Sequence, residues 1–133
     1  MEKLFLYTDG GSRNNPGQAA IGVVLMDNEK IVIKLGKKIG IATNNIAEYS
    51  ALIFGIETAL KYQPKELICF MDSELAVKQL TGAYRIKNAE LQKLAIKVKS
   101  LENQFEKVQF KYIPREQNSM ADSLVNAALD NLL

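Results

Sequence analysis

A change in hydrophobic periodicity near Thr43 constrains the fold of this chain more than any other feature. Ahead of Thr43 lie three short segments rich in strand-forming residues, Lys3–Thr8, Ala19–Met26 and Ile31–Ile39, with turn residues between them. Behind it, apolar residues recur at the 3.6-residue spacing of an amphipathic helix. The sequence therefore predicts an antiparallel three-stranded meander that gives way to a helix. The first strand is expected to end at a glycine turn over residues 9–11.

The second half of the chain alternates between strands and helices. Strands are predicted at Glu66–Met71 and Lys107–Ile113, and helices at Glu74–Leu80, Asn88–Asn103 and from Ser119 onward. Such alternation implies parallel strands joined by crossover helices. We therefore expect an α/β fold of order βββαβααβα, with a five-stranded mixed sheet (three antiparallel strands, then two parallel) flanked by helices. No linker divides the chain, so residues 1–133 are expected to form a single domain.

The chain contains no histidine. This excludes histidine-based acid–base catalysis, Ser-His-Asp and Cys-His triads, and zinc or iron sites with histidine ligands. A metal ion bound here would need oxygen ligands, which favours Mg²⁺, Mn²⁺ or Ca²⁺. The net charge of +2 is too small to indicate a nucleic-acid partner by itself.

The sequence also predicts where the protein works. Cys69 is the single cysteine and lies in an apolar run, which is typical of a buried thiol in a reducing compartment. No signal peptide precedes the first strand, and no apolar run approaches the ~20 residues of a membrane span. We therefore expect a cytoplasmic monomer that does not associate with membranes.

Four acidic residues lie at the ends of predicted elements: Asp9, Glu48, Asp72 and Asp122. In an α/β sheet, strand ends and the adjoining helix starts share one edge, where ligands usually bind. Clustered carboxylates repel each other unless cations neutralise them, which predicts a divalent metal site. One alternative stays open, because an aspartate after a strand is also a common turn former or helix cap.

Four motifs follow one another along the chain, between residues 7 and 122. They are Tyr7-Thr8-Asp9-Gly10-Gly11-Ser12 with Asn15-Pro16-Gly17, Thr43-Asn44-Asn45-Ile46-Ala47-Glu48, Met71-Asp72-Ser73, and Pro114-Arg115-Glu116-Gln117-Asn118 with Ala121-Asp122. Together they resemble the motifs of type 1 ribonucleases H (ribonuclease HI), and the predicted element order matches the ribonuclease H fold. The resemblance implies a Mg²⁺-dependent endonuclease that hydrolyses the RNA strand of RNA–DNA hybrids and leaves 5′-phosphate and 3′-hydroxyl ends.

The resemblance also implies roles for individual residues. The catalytic and metal-binding set would be Asp9, Glu48, Asp72 and Asp122, holding two Mg²⁺ ions once substrate is bound, with Mn²⁺ as an alternative and Asp9 as the shared ligand. Substrate contacts would come from Gly10, Gly11, Ser12, Asn14, Asn15, Thr43, Asn44, Asn45 and Ser73. A purely structural role stays open for several of these, as a tight turn at residues 14–17 or as helix caps at Thr43, Asn45 and Ser73.

Two features depart from the commonest family pattern. Many members carry a histidine before the last catalytic aspartate, whereas Arg115 stands in that segment here, as in the histidine-free branch. Arg115 cannot act as a base near neutral pH, but it can bind phosphate or steady a leaving group, or be an ordinary surface arginine. The basic handle of some members is also missing, because Gly82–Asn88 joins two helices directly. Hybrid affinity is expected to be modest and to depend on Arg85, Lys87 and nearby lysines.

Other functions are alternatives to this one. A catalytically silent ribonuclease H-like module that binds nucleic acid is disfavoured, because all four matching positions are acidic. A nuclease that also cuts double-stranded RNA, or one that cuts DNA as integrases and resolvases do, stays open. A P-loop enzyme is excluded, since the glycine-rich segment lacks the Lys-Ser/Thr ending of that motif.

Overall fold

One mixed β-sheet lies at the centre of the structure, a computed structural model that describes residues 2–133. In chain order the elements are β1 Lys3–Arg13, β2 Gly17–Asp27, β3 Lys30–Ala42, α1 Asn44–Leu60, β4 Glu66–Met71, α2 Glu74–Leu80, α3 Ala89–Glu102, β5 Lys107–Tyr112 and α4 Ser119–Leu129, with a 3₁₀ turn at Arg115–Gln117 before α4. The strands lie in the order β3-β2-β1-β4-β5. β2 pairs antiparallel with β1 and β3, whereas β4 pairs parallel with β1 and β5. The predicted element order and mixed sheet are confirmed.

β1 is longer than the sequence predicted. The expected end at Thr8, with a turn over residues 9–11, was wrong, because the strand continues in antiparallel pairing with β2 as far as Arg13. Gly10 explains the difference: a Cβ atom there would lie 2.2 Å from backbone atoms of Ala47 in α1. This glycine therefore permits close packing of a helix on the strand instead of forming a turn.

The two neighbours of β1 cover different lengths of it. β2 pairs with residues 5–13, whereas β4 pairs only with Lys3–Tyr7. Asp9 therefore lies beyond the last residue of β1 that pairs with β4, and Asp72 directly follows β4. The parallel part of the sheet ends at these two carboxylates, which places them at one edge, as the topology of an α/β sheet predicts.

Helices cover the sheet from both sides. On one side α1, α2 and α3 bury the main core, which includes Leu6, Leu52 and the thiol of Cys69. Burial raises the pKa of that thiol, as expected for a structural cysteine. On the other side α4 packs on β1, β2 and β3. Among residues 2–133, no helix has both the length and the apolar character needed to cross a bilayer.

Candidate active site

Three of the predicted carboxylates converge at the sheet edge. One oxygen from each of Asp9, Glu48 and Asp72 lies within 4.8 Å of the other two. Asp9 and Glu48 are buried, at 6% and 7% exposure, whereas Asp72 is half-buried. The trio comes from three separate elements, β1, α1 and the end of β4, so the fold and not local sequence brings it together.

The fourth carboxylate, Asp122, approaches from the other side of the sheet. It lies in the first turn of α4 and lines the same cleft as the trio. Its carboxyl contributes to the raised pKa of Asp9. All four acidic residues that the sequence singled out therefore line one cleft.

Burial and mutual repulsion oppose ionisation at this site. Burial raises the pKa of Asp9 to about 7; hydrogen bonding with Glu48 opposes this shift, while the charges of Asp72 and Asp122 add to it. The pKa of Glu48 also lies well above its ordinary value, first because of burial and then because of Asp9. The Gly10 N–H donates to Glu48 Oε1 at 2.8 Å and offsets part of that shift. A bound cation would relieve the repulsion.

The donor set fits a divalent metal ion. Glu48 Oε2 is buried and has no hydrogen-bond partner among residues 2–133. Such an oxygen is costly to bury unless something binds it. Together with oxygens of Asp9 and Asp72 it forms an all-oxygen group of the kind that Mg²⁺ and Mn²⁺ prefer.

Asn118 belongs to the last of the four motifs, but no role at the site was expected for it. Its side chain is 1% exposed, and Nδ2 donates to the Thr8 carbonyl at 2.9 Å and to Asp72 Oδ2 at 3.1 Å. Asn118 stands at the start of α4, where an asparagine ordinarily indicates a helix cap. The side chain makes no capping hydrogen bond. It holds the Asp72 carboxylate against β1 instead, and only the three-dimensional structure shows this.

The hairpin loop between β1 and β2 is tied to the start of α1. The Ser12 N–H donates to Asn44 Oδ1 at 2.8 Å, and the Asn44 N–H donates to Asn15 Oδ1 at 3.0 Å. Within the loop, Ser12 Oγ donates to the Asn14 carbonyl at 2.7 Å. These contacts fix the loop beside the carboxylates, so four predicted substrate-binding residues have structural roles of their own.

Two further predicted residues cap helices. Thr43 Oγ1 accepts from the Ile46 N–H at the start of α1, and Ser73 Oγ accepts from the Ala76 N–H at the start of α2, each at 3.2 Å. The capping role that the sequence left open for both is confirmed. Asn45, by contrast, is exposed and lines the cleft.

The cleft itself is open and has a volume of about 420 Å³. Its lining combines the four carboxylates with Gly10, Gly11, Ser12, Arg13, Asn44, Asn45, Ser73, Arg115, Val125, Asn126 and Leu129. Arg115 is exposed in the 3₁₀ turn, and no salt bridge among residues 2–133 engages it. An acidic centre between two arginines suits a cation together with a phosphate-bearing ligand.

Known proteins are similar in sequence to this chain over nearly its whole length. The family model described as reverse transcriptase-like matches residues 7–128. A ribonuclease HI of Halobacterium salinarum is 40% identical over 130 residues, which cover 97% of this chain and 65% of that protein. The bifunctional protein Rv2228c of Mycobacterium tuberculosis is 39% identical over 130 residues, which cover 96% of this chain and 36% of that protein. The chain therefore spans less than two thirds of the length of these relatives.

Solved structures agree with these matches. The crystal structure of RNase H1 from Halobacterium salinarum superposes with a TM-score of 0.94 at 40% identity, covering 97% of this chain and 98% of that one. LC11-RNase H1, crystallised in complex with an RNA/DNA hybrid, gives a TM-score of 0.92 at 38% identity, with the same coverage. Since the family model matches residues 7–128 and the Halobacterium salinarum RNase H1 is 40% identical over nearly the whole chain, the chain belongs to the reverse transcriptase-like family, within its ribonuclease H branch.

Proposed function

We propose that this protein is a metal-dependent endoribonuclease that hydrolyses the RNA strand of RNA–DNA hybrids and leaves 5′-phosphate and 3′-hydroxyl ends. The convergence of Asp9, Glu48 and Asp72, with an unpartnered Glu48 oxygen, is the observation that carries the proposal. The choice of substrate is supported by LC11-RNase H1, which was solved with an RNA/DNA hybrid. Residues 1–133 would act as one catalytic unit, since the helices of residues 2–133 pack on one sheet.

The metal ligands in this proposal are Asp9, Glu48, Asp72 and Asp122, and the cofactor is a pair of Mg²⁺ ions in the substrate complex, with Mn²⁺ as an alternative. Bound divalent ions supply a more acidic attacking water and stabilisation of the leaving oxygen. Asp9 is the best candidate for a shared ligand, because one of its oxygens lies within 4.8 Å of those of Glu48 and Asp72, and Asp122 lines the same cleft.

The protein side chains contribute proton control and orientation. The raised pKa values of Asp9 and Glu48 mean that protons compete with a cation for these carboxyls. Asn118 holds Asp72 Oδ2 by a direct hydrogen bond and so keeps that carboxylate turned towards the cleft. Cation binding at these carboxyls would therefore release protons.

Substrate recognition is assigned to two groups of residues. Gly10, Gly11, Ser12, Asn14 and Asn15 would read the 2′-hydroxyl side of the RNA strand, where close backbone approach matters most. Thr43, Asn44, Asn45 and Ser73 would contact phosphates of the DNA strand. The hydrogen bonds that tie the loop to α1 support this assignment, because a loop ordered in advance loses less entropy when it binds.

Arg115 is proposed to bind a phosphate or to steady the departing oxygen. Its guanidinium is exposed on the cleft and free of the salt bridges found in residues 2–133. Replacing Arg115→Ala should slow turnover without abolishing it. An unchanged single-turnover rate would remove Arg115 from the mechanism.

One experiment tests the activity and its specificity together. Four end-labelled duplexes of one sequence, RNA–DNA, RNA–RNA, DNA–DNA and DNA with a single ribonucleotide, are incubated with the protein in Mg²⁺, Mn²⁺ or EDTA. Asp9→Asn protein purified in parallel controls for contaminating nucleases. Metal-dependent cuts confined to the RNA of the hybrid, and absent with Asp9→Asn, are expected. No cleavage by folded wild-type protein would instead indicate a silent binding module, and cuts in RNA–RNA would extend the substrate range.

The cellular setting is also a proposal. The free, buried thiol of Cys69 suits a reducing compartment such as the cytoplasm. A monomer is proposed because all four carboxylates of the site come from one chain. Gel filtration of the purified protein would check the oligomeric state.

A further inference from the structure

α4 runs alongside the far half of β1, and the two elements contact each other. Side chains two residues apart lie on the same side of a strand, so alternate residues of β1 face α4. Two contacts follow in order: Gly11 faces Val125 of α4, and Arg13 pairs with Asp130 directly after α4. Asp9 and Asp122 line the same cleft. At about 3.3 Å per residue, Arg13 lies roughly 13 Å along the strand from Asp9. The cleft therefore has Arg13 at one end of its β1 wall.

The Arg13 guanidinium forms an ion pair with Asp130 that uses only part of its hydrogen-bonding capacity. Nη1 lies 2.6 Å from Asp130 Oδ1, and both side chains are about half exposed, at 49% and 47%. A guanidinium has five N–H donors in a fixed fork, so one carboxylate oxygen leaves most of them open. Exposed ion pairs of this kind add little to stability. The pair therefore orients the Arg13 guanidinium at the cleft and leaves most of its donors open.

The charges in the cleft indicate what Arg13 could bind there. Its centre carries four carboxylates, whereas Arg13 and Arg115 are the cations in its lining. A nucleic-acid strand brings further negative charge, and its affinity depends on the phosphates that cations neutralise. Residues 82–88 connect α2 directly to α3, without an inserted basic helix. Each cation in the cleft therefore contributes a larger share of the affinity for a nucleic-acid strand than it would in a protein with additional basic surface.

We infer that Arg13 is a further substrate-binding residue, whose guanidinium binds a backbone phosphate of the RNA strand a few nucleotides from the cleaved bond. Asp130 is its positioning residue. The inference rests on the proposed function, because the RNA strand is assigned to the carboxylates. Asp9 and Arg13 lie on one side of β1 and line the same cleft, so an RNA strand laid along this wall from Asp9 would reach Arg13.

Binding of an end-labelled RNA–DNA hybrid in EDTA, measured over a range of salt concentrations, tests the inference without cleavage. Arg13→Ala should raise the Kd about 3- to 10-fold and reduce the slope of log K against log salt by about 0.7–0.9, as expected for one lost phosphate contact. Arg13→Lys should keep most of the slope while losing part of the affinity, because lysine lacks the fork. With Mg²⁺ present, Arg13→Ala should raise KM and leave kcat unchanged.

The positioning role of Asp130 needs its own variants. Asp130→Asn removes the charge and should raise the Kd about 2- to 3-fold. The double variant with Arg13→Ala should bind no more weakly than Arg13→Ala alone, because Asp130 acts through the guanidinium. Additive losses would overturn the positioning role.

Lys65→Ala is the matched control. It breaks another exposed ion pair, with Glu2 at 3.4 Å, next to the start of β4 and far from the cleft. It should leave the Kd and the salt slope as in wild type, and thermal melts should show every variant folded at the assay temperature. Equal losses for Lys65→Ala and Arg13→Ala, or no change for Arg13→Ala in a wild type that binds and cleaves, would overturn the inference alone. A wild type that neither binds nor cleaves the hybrid would overturn the proposed function as well.

Discussion

Asp9 of β1 lies directly opposite Gly22 of β2 in the antiparallel register, and Gly22 in turn lies opposite Gly36 of β3. A Cβ atom at Gly22 would lie 2.1 Å from the Ala121 carbonyl oxygen. α4 therefore packs directly against the backbone of β2 at this point. That close approach brings Asp122, the next residue along α4, into the same cleft as Asp9.

Gly22→Ala should displace α4 and so separate Asp122 from Asp9. We expect a loss of about 1–3 kcal/mol in the free energy of unfolding, since a Cβ placed against backbone forces the helix to move. Metal-dependent cleavage should slow through kcat, because the acidic group is no longer assembled. Urea unfolding and single-turnover cleavage measure the two effects.

Gly11→Ala is the control for the stability measurement. It lies on the same side of β1, but a Cβ there would meet Val125 Cγ1 at 3.7 Å, an ordinary contact. Its free energy of unfolding should stay within about 1 kcal/mol of wild type. Comparable losses at both glycines would mean that helix packing over Gly22 is not the cause.

Asp9→Asn should stabilise the metal-free protein as the pH rises. With the pKa of Asp9 raised to about 7, chiefly by burial, the folded state retains a proton that the unfolded chain loses near pH 4. Between those values the folded protein binds more protons, so the stability of wild type falls with increasing pH, and the loss is complete above about pH 7. Asparagine does not ionise and escapes this loss.

Thermal melts in EDTA from pH 4 to pH 8 measure this effect. The Tm of Asp9→Asn relative to wild type should rise across that range and level off near pH 8. At that pH, the rise in the pKa of Asp9 from 3.8 to about 7 corresponds to a difference on the order of 4 kcal/mol in unfolding free energy. The variant should cut no hybrid at any pH. A Tm difference that is constant with pH would show that the carboxyl of Asp9 is not the destabilising group.

The positions of the four carboxylates could be predicted from the sequence, because the order of strands and helices determines the sheet edge at which they lie. Once the order of strands and helices was known, Asp9 and Asp72 had to lie at one sheet edge, and Thr43 could be identified as the cap of α1. Gly10 was wrongly assigned to a turn. A glycine that allows a helix to pack closely on a strand cannot be distinguished by local sequence from a glycine in a turn. The hydrogen bond from Asn118 to Asp72 joins residues 46 positions apart, and no local pattern predicts it.

Divalent cations should stabilise the wild-type protein. A ligand that binds only the folded state adds RT ln(1 + [L]/Kd), or about 1.4 kcal/mol at ten times the Kd. The rise in Tm with Mg²⁺ should be larger at pH 8 than at pH 6, because the raised pKa values of Asp9 and Glu48 make protons compete with the metal at the lower pH. KCl of equal ionic strength controls for screening, and EDTA should reverse the shift. Equal shifts with KCl and Mg²⁺ would argue against a specific metal site.

Asn118→Ala should damage both stability and catalysis through one contact. The change removes donors to the Thr8 carbonyl and to Asp72 Oδ2, and the buried carbonyl then has no side-chain partner. We expect a loss of about 1–3 kcal/mol in unfolding free energy and a 10- to 100-fold fall in kcat or metal affinity, because Asp72 is no longer held. Gln109→Ala is the matched control, since Gln109 Nε2 donates to Glu66 at 2.7 Å at the other end of the sheet. If both variants lost stability but kept the wild-type kcat, Asn118 would be a structural residue with no part in positioning the carboxylate.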